Sequence, residues 1–164
     1  MLLIETHPLK GEIHFVVNFN ESITDPEAVL NKQSKRLAYI EDEAEMIDLV
    51  RLILGRRGYT VIGANGGREG LSLVQKEIPD LILLDLMMPD MDGWDVYHQI
   101  KSNVKTRDIP VIVITAKAQN IDKILGLHIA KVDDYISKPF SPQELLERVE
   151  QVLSRPAKTI EQEM

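Results

Sequence analysis

The chain has 164 residues, of which 44% are apolar, so it is long enough to bury the core of one domain. Its formal net charge of -7 argues against direct binding of nucleic acid. The absence of cysteine excludes disulfides, thiolate metal sites and cysteine nucleophiles; with no signal-peptide pattern and no apolar run of about 18 residues, we expect a cytoplasmic protein outside the membrane.

Residues 1 to 34 precede the regular part of the chain and form a predicted N-terminal extension. Apolar residues alternate with polar ones from Ile13 to Phe19, which predicts a half-buried strand, and Asp25-Pro26 predicts the start of a short helix. Two interpretations stay open. The extension is a flexible leader or the tail of an upstream segment, or it is an ordered strand that pairs with an exposed sheet edge, including that of a second molecule.

Residues 35 to 154 alternate five times between a short apolar run and a helical pattern. The predicted strands are Leu37–Ile40, Thr60–Ala64, Leu81–Leu84, Val111–Ile114 and Tyr135–Ile136. The apolar residues at helical spacing that follow them are Met46, Val50, Ile53 and Leu54 (with Gly58 as a left-handed stop), Leu71, Val74 and Ile78, Val96 and Ile100, Ile121, Ile124 and Leu125, and Leu145, Val149 and Val152. The last helix starts most clearly, because Ser141-Pro142-Gln143-Glu144 forms a predicted capping box. Residues 155 to 164 form a polar C-terminal tail.

Strands that are joined by single helices run parallel, with helices on both faces of the sheet. The sequence therefore predicts the α/β class, as a (βα)5 flavodoxin-like three-layer sandwich whose five-stranded parallel sheet has the order 2-1-3-4-5. In this order the first and third strands are neighbours, so Glu41 and Asp42 should lie beside Asp85. The fourth strand ends at Thr115 and the fifth at Lys138, so a hydroxyl and an amine are expected at the same edge.

The three acids at this edge predict a divalent cation, because neighbouring carboxylates repel one another unless a cation neutralises them. Mg²⁺ prefers oxygen ligands and keeps several waters, so one or two carboxylates and a backbone carbonyl are sufficient. We expect Asp42 and Asp85 as direct ligands and Glu41 as a ligand through water. The carbonyl of Met87 would complete the set, and Mn²⁺ is an alternative ion.

Asp85 then becomes a candidate nucleophile, because a cation that shields its charge lets it attack a phosphoryl group and form an aspartyl phosphate. Lys138 would neutralise charge on the transferring oxygens. Thr115 could donate a hydrogen bond to a phosphoryl oxygen and so sense the modification.

Four segments in this order resemble the receiver domain of two-component response regulators. They are YIEDE from Tyr39, LILLDLMMPDMDGWD from Leu81, IPVIVITA from Ile109 and DDYISKPF from Asp133. The resemblance spans roughly residues 35 to 153 and implies that Asp85 is the phosphoacceptor. It also implies that Glu41 and Asp42 are the acidic pair at the metal, that Thr115 is the switch hydroxyl and that Lys138 is the phosphate-binding lysine.

The resemblance implies three further features. These are a cis peptide bond between Lys138 and Pro139, a Tyr135 that turns inward on activation, and an output face at about residues 118 to 153. For Tyr135 a packing role in the core stays open. The acidic pair is Glu-Asp instead of Asp-Asp, and Ala130-Lys131-Val132 stands where the helix before the fifth strand often ends in glycine.

The implied function is a phosphorylation-dependent signalling switch. It would accept a phosphoryl group on Asp85 from a histidine kinase or phosphotransfer protein and change its partner-binding face. No enzymatic activity beyond its own phosphorylation and dephosphorylation is expected. The effector would be another protein, since no output domain is recognisable after Leu153, or else the chain is part of something longer; a homodimer stays open. The alternative is a constitutive interaction or dimerisation module on the same fold.

Two other motifs fit less well. The acids of Asp90–Asp95 suggest calcium, but an EF-hand loop needs a glutamate at its twelfth position, and none stands near Ser102. We expect these acids to be turn and cap residues. The stretch Gly63–Gly70 follows a strand and opens a helix, yet it lacks the first glycine of a dinucleotide fingerprint, which disfavours nucleotide or flavin binding.

Overall fold

The computed structural model describes residues 34–116 and 131–156. In chain order the elements are β1 (Arg36–Ile40), α1 (Ala44–Gly55), β2 (Thr60–Ala64), α2 (Gly67–Glu77), β3 (Leu81–Leu84), α3 (Gly93–Ser102), β4 (Val111–Thr115), β5 (Asp134–Ser137) and α4 (Pro142–Leu153). The predicted extension before residue 34, the predicted helix with Ile121 and Leu125, and the end of the tail fall outside the described residues.

The five strands form one parallel sheet in the order β2-β1-β3-β4-β5, which confirms the predicted topology. Every residue of β3 and β4 is buried, because helices cover both faces of the sheet. One core cluster joins the sheet to α1 and α4, and the other joins it to α2 and α3. None of the helices in the described ranges is long and apolar enough to cross a membrane.

Alternation along β1 decides which side chains reach which layer, since neighbouring strand residues point to opposite faces. Leu37 and Tyr39 belong to the cluster under α1 and α4, whereas Ala38 and Ile40 belong to the cluster under α2 and α3. The side chain of Tyr39 therefore lies on the face to which the following odd-numbered residue, Glu41, is also directed.

Two expected helix ends differ from the structure. Helix α1 ends at Gly55, and Gly58 takes its left-handed conformation (φ 82°) in the turn beyond the helix. Ile78 was predicted to extend the buried stripe of α2, and this was wrong: it is 46% exposed and has φ 43°. The physical reason is Pro79, which disfavours the helical conformation in the residue before it, so the chain turns at Ile78.

Three of the four helix starts in the described ranges are capped by side chains that the sequence singled out, whereas Glu43, before α1, makes no such hydrogen bond. Ser141 Oγ accepts a hydrogen bond from Glu144 N at 3.1 Å, as half of the expected capping box. Asp92 caps α3 by accepting from Trp94 N at 2.8 Å, and Asp90 accepts from two amides at the start of α2, at 3.0 and 3.1 Å. These amides of the glycine-rich stretch thus already have an acceptor in the protein.

Candidate functional site

The carboxyl ends of the strands bring the predicted site residues to one edge of the sheet. Backbone hydrogen bonds continue between neighbouring strands beyond the last strand residues. Asp85 N donates to Ile40 O at 3.0 Å, and Lys138 N donates to Thr115 O at 2.9 Å. Residues far apart in the chain are therefore held side by side by main-chain bonds, before any side chain contributes.

Lys138 lies between two buried carboxylates. Its Nζ donates to Glu41 Oε2 at 2.6 Å and to Asp85 Oδ2 at 3.0 Å. The side chains of Lys138, Glu41 and Asp85 are 12%, 0% and 5% exposed, so the ion pairs are shielded from solvent. Burial disfavours the ammonium, but hydrogen bonds and charges of the two carboxylates outweigh burial and raise the pKa of Lys138.

Asp85 is also anchored by its own loop. Its Oδ1 accepts from Met87 N at 2.9 Å, so each carboxylate oxygen has a donor. Helix α3 begins directly against this loop, because Gly93 N donates to Leu86 O at 3.2 Å. A Cβ on Gly93 would overlap with Leu86 Cα and would lie 2.5 Å from Asp85 O, so only glycine fits this close approach.

The predicted acidic cluster is present. Glu41, Asp42 and Asp85 each offer a carboxylate oxygen, and these oxygens lie within 4.8 Å of one another. Glu41 and Asp85 are buried and Asp42 is exposed, so the cluster opens to solvent on one side. Three oxygen donors with an open side are a donor set that suits a hard cation such as Mg²⁺. The water-mediated role of Glu41 and the carbonyl of Met87 as a ligand stay predictions.

Two hydroxyl groups of β4 and β5 are buried without a hydrogen-bond partner among residues 34–116 and 131–156. They are Thr115 Oγ1, at the end of β4, and Tyr135 Oη, in β5. Burial raises the pKa of the Tyr135 phenol. A buried hydroxyl without a partner is destabilising and calls for an explanation, such as an acceptor that arrives with a ligand.

The bond between Lys138 and Pro139 is cis, as the resemblance implied. Tyr39 also contacts the site, although the sequence pattern did not predict it there. Its Oη donates to Glu41 Oε2 at 2.7 Å. Burial, followed by the charge of Glu41, raises the pKa of Tyr39 far above its usual value of 10.0, so this phenol keeps its proton. The available signal was the two-residue spacing along β1, which puts both side chains on one face.

Comparison with known proteins agrees with this geometry. The sequence model of the protein family "response regulator receiver domain" matches residues 37–150. The alkaline phosphatase synthesis transcriptional regulatory protein PhoP of Bacillus subtilis is 40% identical over 122 residues, which are 74% of this chain and 50% of that protein. The regulatory protein VanRc of Enterococcus gallinarum is 39% identical over 122 residues, 74% of this chain and 51% of that protein. The chain thus spans about half the length of the curated relatives it matches.

Solved structures give the same result. The N-terminal domain of a response regulator receiver protein from Methanoculleus marisnigri JR1 has 36% sequence identity and a TM-score of 0.61, and the match covers 76% of this chain and 100% of that chain. Chemotaxis protein CheY4 of Vibrio cholerae has 25% identity and a TM-score of 0.68, with 73% and 99% covered.

Proposed function

The chain belongs to the family of response regulator receiver domains, and on this basis we propose that it is a signalling switch controlled by phosphorylation of Asp85. One observation supports this proposal above the others: a single ammonium group, that of Lys138, bridges Asp85 and Glu41 in a shielded position at the strand ends. A lysine in this position can exchange its ion pair with the carboxylate for an ion pair with a phosphoryl oxygen.

We propose that Glu41, Asp42 and Asp85, with the carbonyl of Met87, hold Mg²⁺ or a similar divalent ion such as Mn²⁺. When bound, such an ion neutralises charge on the carboxylates and on the phosphoryl oxygens. The fit rests on the donor chemistry, since all the side-chain ligands are carboxylates and one of them, Asp42, is exposed to solvent.

The proposed step is a phosphoryl transfer from a histidine kinase or a histidine phosphotransfer protein. An oxygen of Asp85 forms a bond to phosphorus while the bond from phosphorus to the donor's imidazole nitrogen breaks, and that electron pair stays on the nitrogen. The Nζ of Lys138 moves from Asp85 Oδ2 to a phosphoryl oxygen and neutralises its charge. Beyond transfer onto Asp85 and the later hydrolysis of that phosphate, we expect no enzymatic turnover.

The two buried hydroxyls provide the proposed switch. A phosphoryl oxygen on Asp85 would give Thr115 Oγ1 the acceptor that it lacks among the described residues. Movement of Thr115 toward this oxygen would vacate space into which Tyr135 turns. The proposed output surface extends over residues 118 to 153, and its described part consists of β5 and α4. An effector protein or a second copy of the chain would bind to this surface. We expect this binding to take place in the cytoplasm.

The test uses acetyl phosphate as donor, with Mg²⁺ or with EDTA, and intact-protein mass spectrometry. We expect one phosphoryl adduct on the wild type in Mg²⁺, little in EDTA and none on Asp85→Asn. Asp95→Asn is the matched control, because Asp95 is an exposed acid of the same segment, in the first turn of α3, and should be modified like the wild type. An unmodified wild type, or an Asp85→Asn variant modified to the same extent, would contradict the proposal.

A second measurement addresses the constitutive-module alternative. Size-exclusion chromatography with light scattering compares the protein with and without beryllofluoride, which mimics a phosphoryl group. A switch that acts through self-association should change its oligomeric state. Where the state is unchanged, amide exchange of β5 and α4 should still respond, whereas a constitutive module responds in neither measurement.

A further inference from the structure

Tyr39 occupies a fully buried position in the middle of the sheet. It pairs with Gly63 of β2 on one side and with Leu83 of β3 on the other, and it is 0% exposed. An apolar side chain would satisfy this core position, whereas a phenol brings a hydroxyl that needs a partner when it is buried. Its partner is a carboxylate of the candidate site, at 2.7 Å.

The oxygen that accepts from Tyr39 is the one that holds Lys138. Glu41 Oε2 accepts from Tyr39 Oη at 2.7 Å and from Lys138 Nζ at 2.6 Å, while Oε1 accepts the longer bond from Glu43 N at 3.3 Å. Two donors that compete for the charge of one acceptor oxygen are each held less strongly than a single donor would be, in contrast to the mutual strengthening along a chain of hydrogen bonds. The phenol also fixes the rotation of a carboxylate that has no contact with solvent.

We propose that Tyr39 is a positioning residue of the phosphorylation site, which acts through Glu41 on the cation ligands and on Lys138. The inference rests on the proposed function and adds a residue to it. Without the hydroxyl, Glu41 keeps Lys138 as its single close donor on Oε2 and its rotation is less restricted. Lys138 then passes less readily to a phosphoryl oxygen, and Glu41 is less well oriented toward a cation.

The test compares Tyr39→Phe with the wild type, and Tyr59→Phe serves as the matched control. Tyr59 is half-buried and packs against the same core cluster, but it lies in the turn before β2, at the amino ends of the parallel strands and not at the carboxyl ends that form the site. Calorimetric titration with Mg²⁺ alone should show affinity weakened roughly three- to tenfold in Tyr39→Phe, and unchanged affinity in Tyr59→Phe.

Transfer from acetyl phosphate supplies the second readout. In Tyr39→Phe we expect the rate constant at saturating donor to fall on the order of tenfold, the size expected for one hydrogen bond to a charged group. The donor concentration for half-maximal rate should hardly change, because Lys138 acts on the transferring oxygens and not on donor binding. A residue that only supports the fold would not lower the rate constant while leaving the donor concentration for half-maximal rate unchanged.

A double-mutant cycle shows whether Tyr39 acts through Glu41. In a Glu41→Ala background the oxygen is gone, so adding Tyr39→Phe should change Mg²⁺ affinity less than twofold, whereas independent effects would multiply. Should Glu41→Ala not fold, Glu41→Asp serves as the background, because its shorter side chain withdraws the oxygen from the phenol.

The outcomes separate the two proposals. A wild type that binds Mg²⁺ but takes up no phosphoryl group contradicts the proposed function, and Mg²⁺ affinity still decides the role of Tyr39. A wild type that is modified, together with a Tyr39→Phe variant of unchanged affinity and an unchanged or faster rate, overturns the inference and leaves the function standing. Equal losses in Tyr59→Phe, or undiminished losses in the Glu41→Ala background, also overturn it.

Discussion

Replacing Lys138 by methionine measures how strongly the site depends on its ammonium group. Methionine keeps most of the aliphatic length and removes the charge, which leaves the side chains of Glu41 and Asp85 facing each other at 0% and 5% exposure. Breaking a buried ion pair by removing one partner costs about 3–5 kcal/mol. Because Asp85 keeps its hydrogen bond from Met87 N and Glu41 keeps the one from Tyr39 Oη, we expect a loss at the lower end of this range, about 3 kcal/mol, in metal-free buffer at neutral pH. That is a large share of the free energy of unfolding of a typical domain, which is roughly 5–15 kcal/mol.

The pH of this measurement matters, and its sign follows from the pKa of Lys138. Because that pKa is raised above its ordinary 10.5 in the folded protein, the ion pair contributes fully below pH 10.5. The contribution is lost as the pH rises through the raised value. At neutral pH the whole effect is therefore present in the comparison.

Mg²⁺ should reduce the deficit of Lys138→Met. The variant keeps the carboxylates and lacks the ammonium that competes with a cation for Glu41 and Asp85. If its affinity for Mg²⁺ is about tenfold higher than that of the wild type, saturating Mg²⁺ restores about 1.4 kcal/mol of the difference.

The assay is urea unfolding followed by circular dichroism, in EDTA and in excess Mg²⁺. The control is Lys105→Met, which changes an exposed lysine and should alter the free energy of unfolding by less than about 0.5 kcal/mol. A metal-free loss below about 1 kcal/mol for Lys138→Met would show that the two carboxylates are not balanced by this lysine. A deficit that Mg²⁺ leaves unchanged would show that lysine and cation do not share the same acids.

Three further predictions concern neighbouring features. Thr115→Val removes a buried hydroxyl that has no hydrogen-bond partner in the described ranges, so the unphosphorylated protein should keep its stability or gain up to about 1 kcal/mol; a urea-measured loss above 1 kcal/mol would refute this. Gly93→Ala makes a Cβ overlap with Leu86 Cα and should lower the free energy of unfolding by about 1–3 kcal/mol and slow phosphoryl uptake. Gly55→Ala, where nothing lies within 4 Å, should be harmless, and equal unfolding midpoints of the two variants would refute the close contact. The amides at the start of α2 lower the pKa of Asp90 from 3.8, so its contribution is present above pH 3.8 and is lost as the pH falls through the lowered value; the urea midpoint of Asp90→Asn should lie below that of the wild type at neutral pH and approach it in acid, and a gap that stays constant would contradict this.

The topology followed from patterns that depend on the backbone alone. The fully apolar run Leu81–Leu84 matches β3 residue for residue, because a strand covered on both faces has to be apolar at every position. Single helices between strands then force parallel pairing. Periodicity was a poorer guide to helix ends: Ile78 has the right spacing for α2 but lies beyond its last residue. The spacing of apolar residues indicates which face of a helix is buried, but it does not indicate where the helix ends. Here the end is determined by Pro79, which disfavours the helical conformation in the residue before it.

The proximity of the predicted acids and Lys138 could be read from the sequence, but their contacts and the involvement of Tyr39 could not. Strand ends alone brought Glu41 and Asp85 to one edge, since their place in the sheet follows from strand order. The sequence predicted Glu41 as a metal ligand through water. It did not predict the direct hydrogen bond that Glu41 accepts from Lys138 Nζ at 2.6 Å. That contact joins residues 97 positions apart and depends on side-chain rotamers, which strand order does not specify.

Tyr39 shows why a buried apolar run can conceal a polar group of the site. In the sequence it reads as one more core residue between Ala38 and Ile40, and its ring does lie in the core cluster under α1 and α4. Its hydroxyl, however, has to find a partner, and the strand period of two leaves Glu41 as the nearest acceptor on that face. The core of this domain and its site therefore share a side chain. Tyr39→Phe is conservative with respect to core packing, since it keeps the ring. It should accordingly leave the fold intact and weaken the affinity for Mg²⁺.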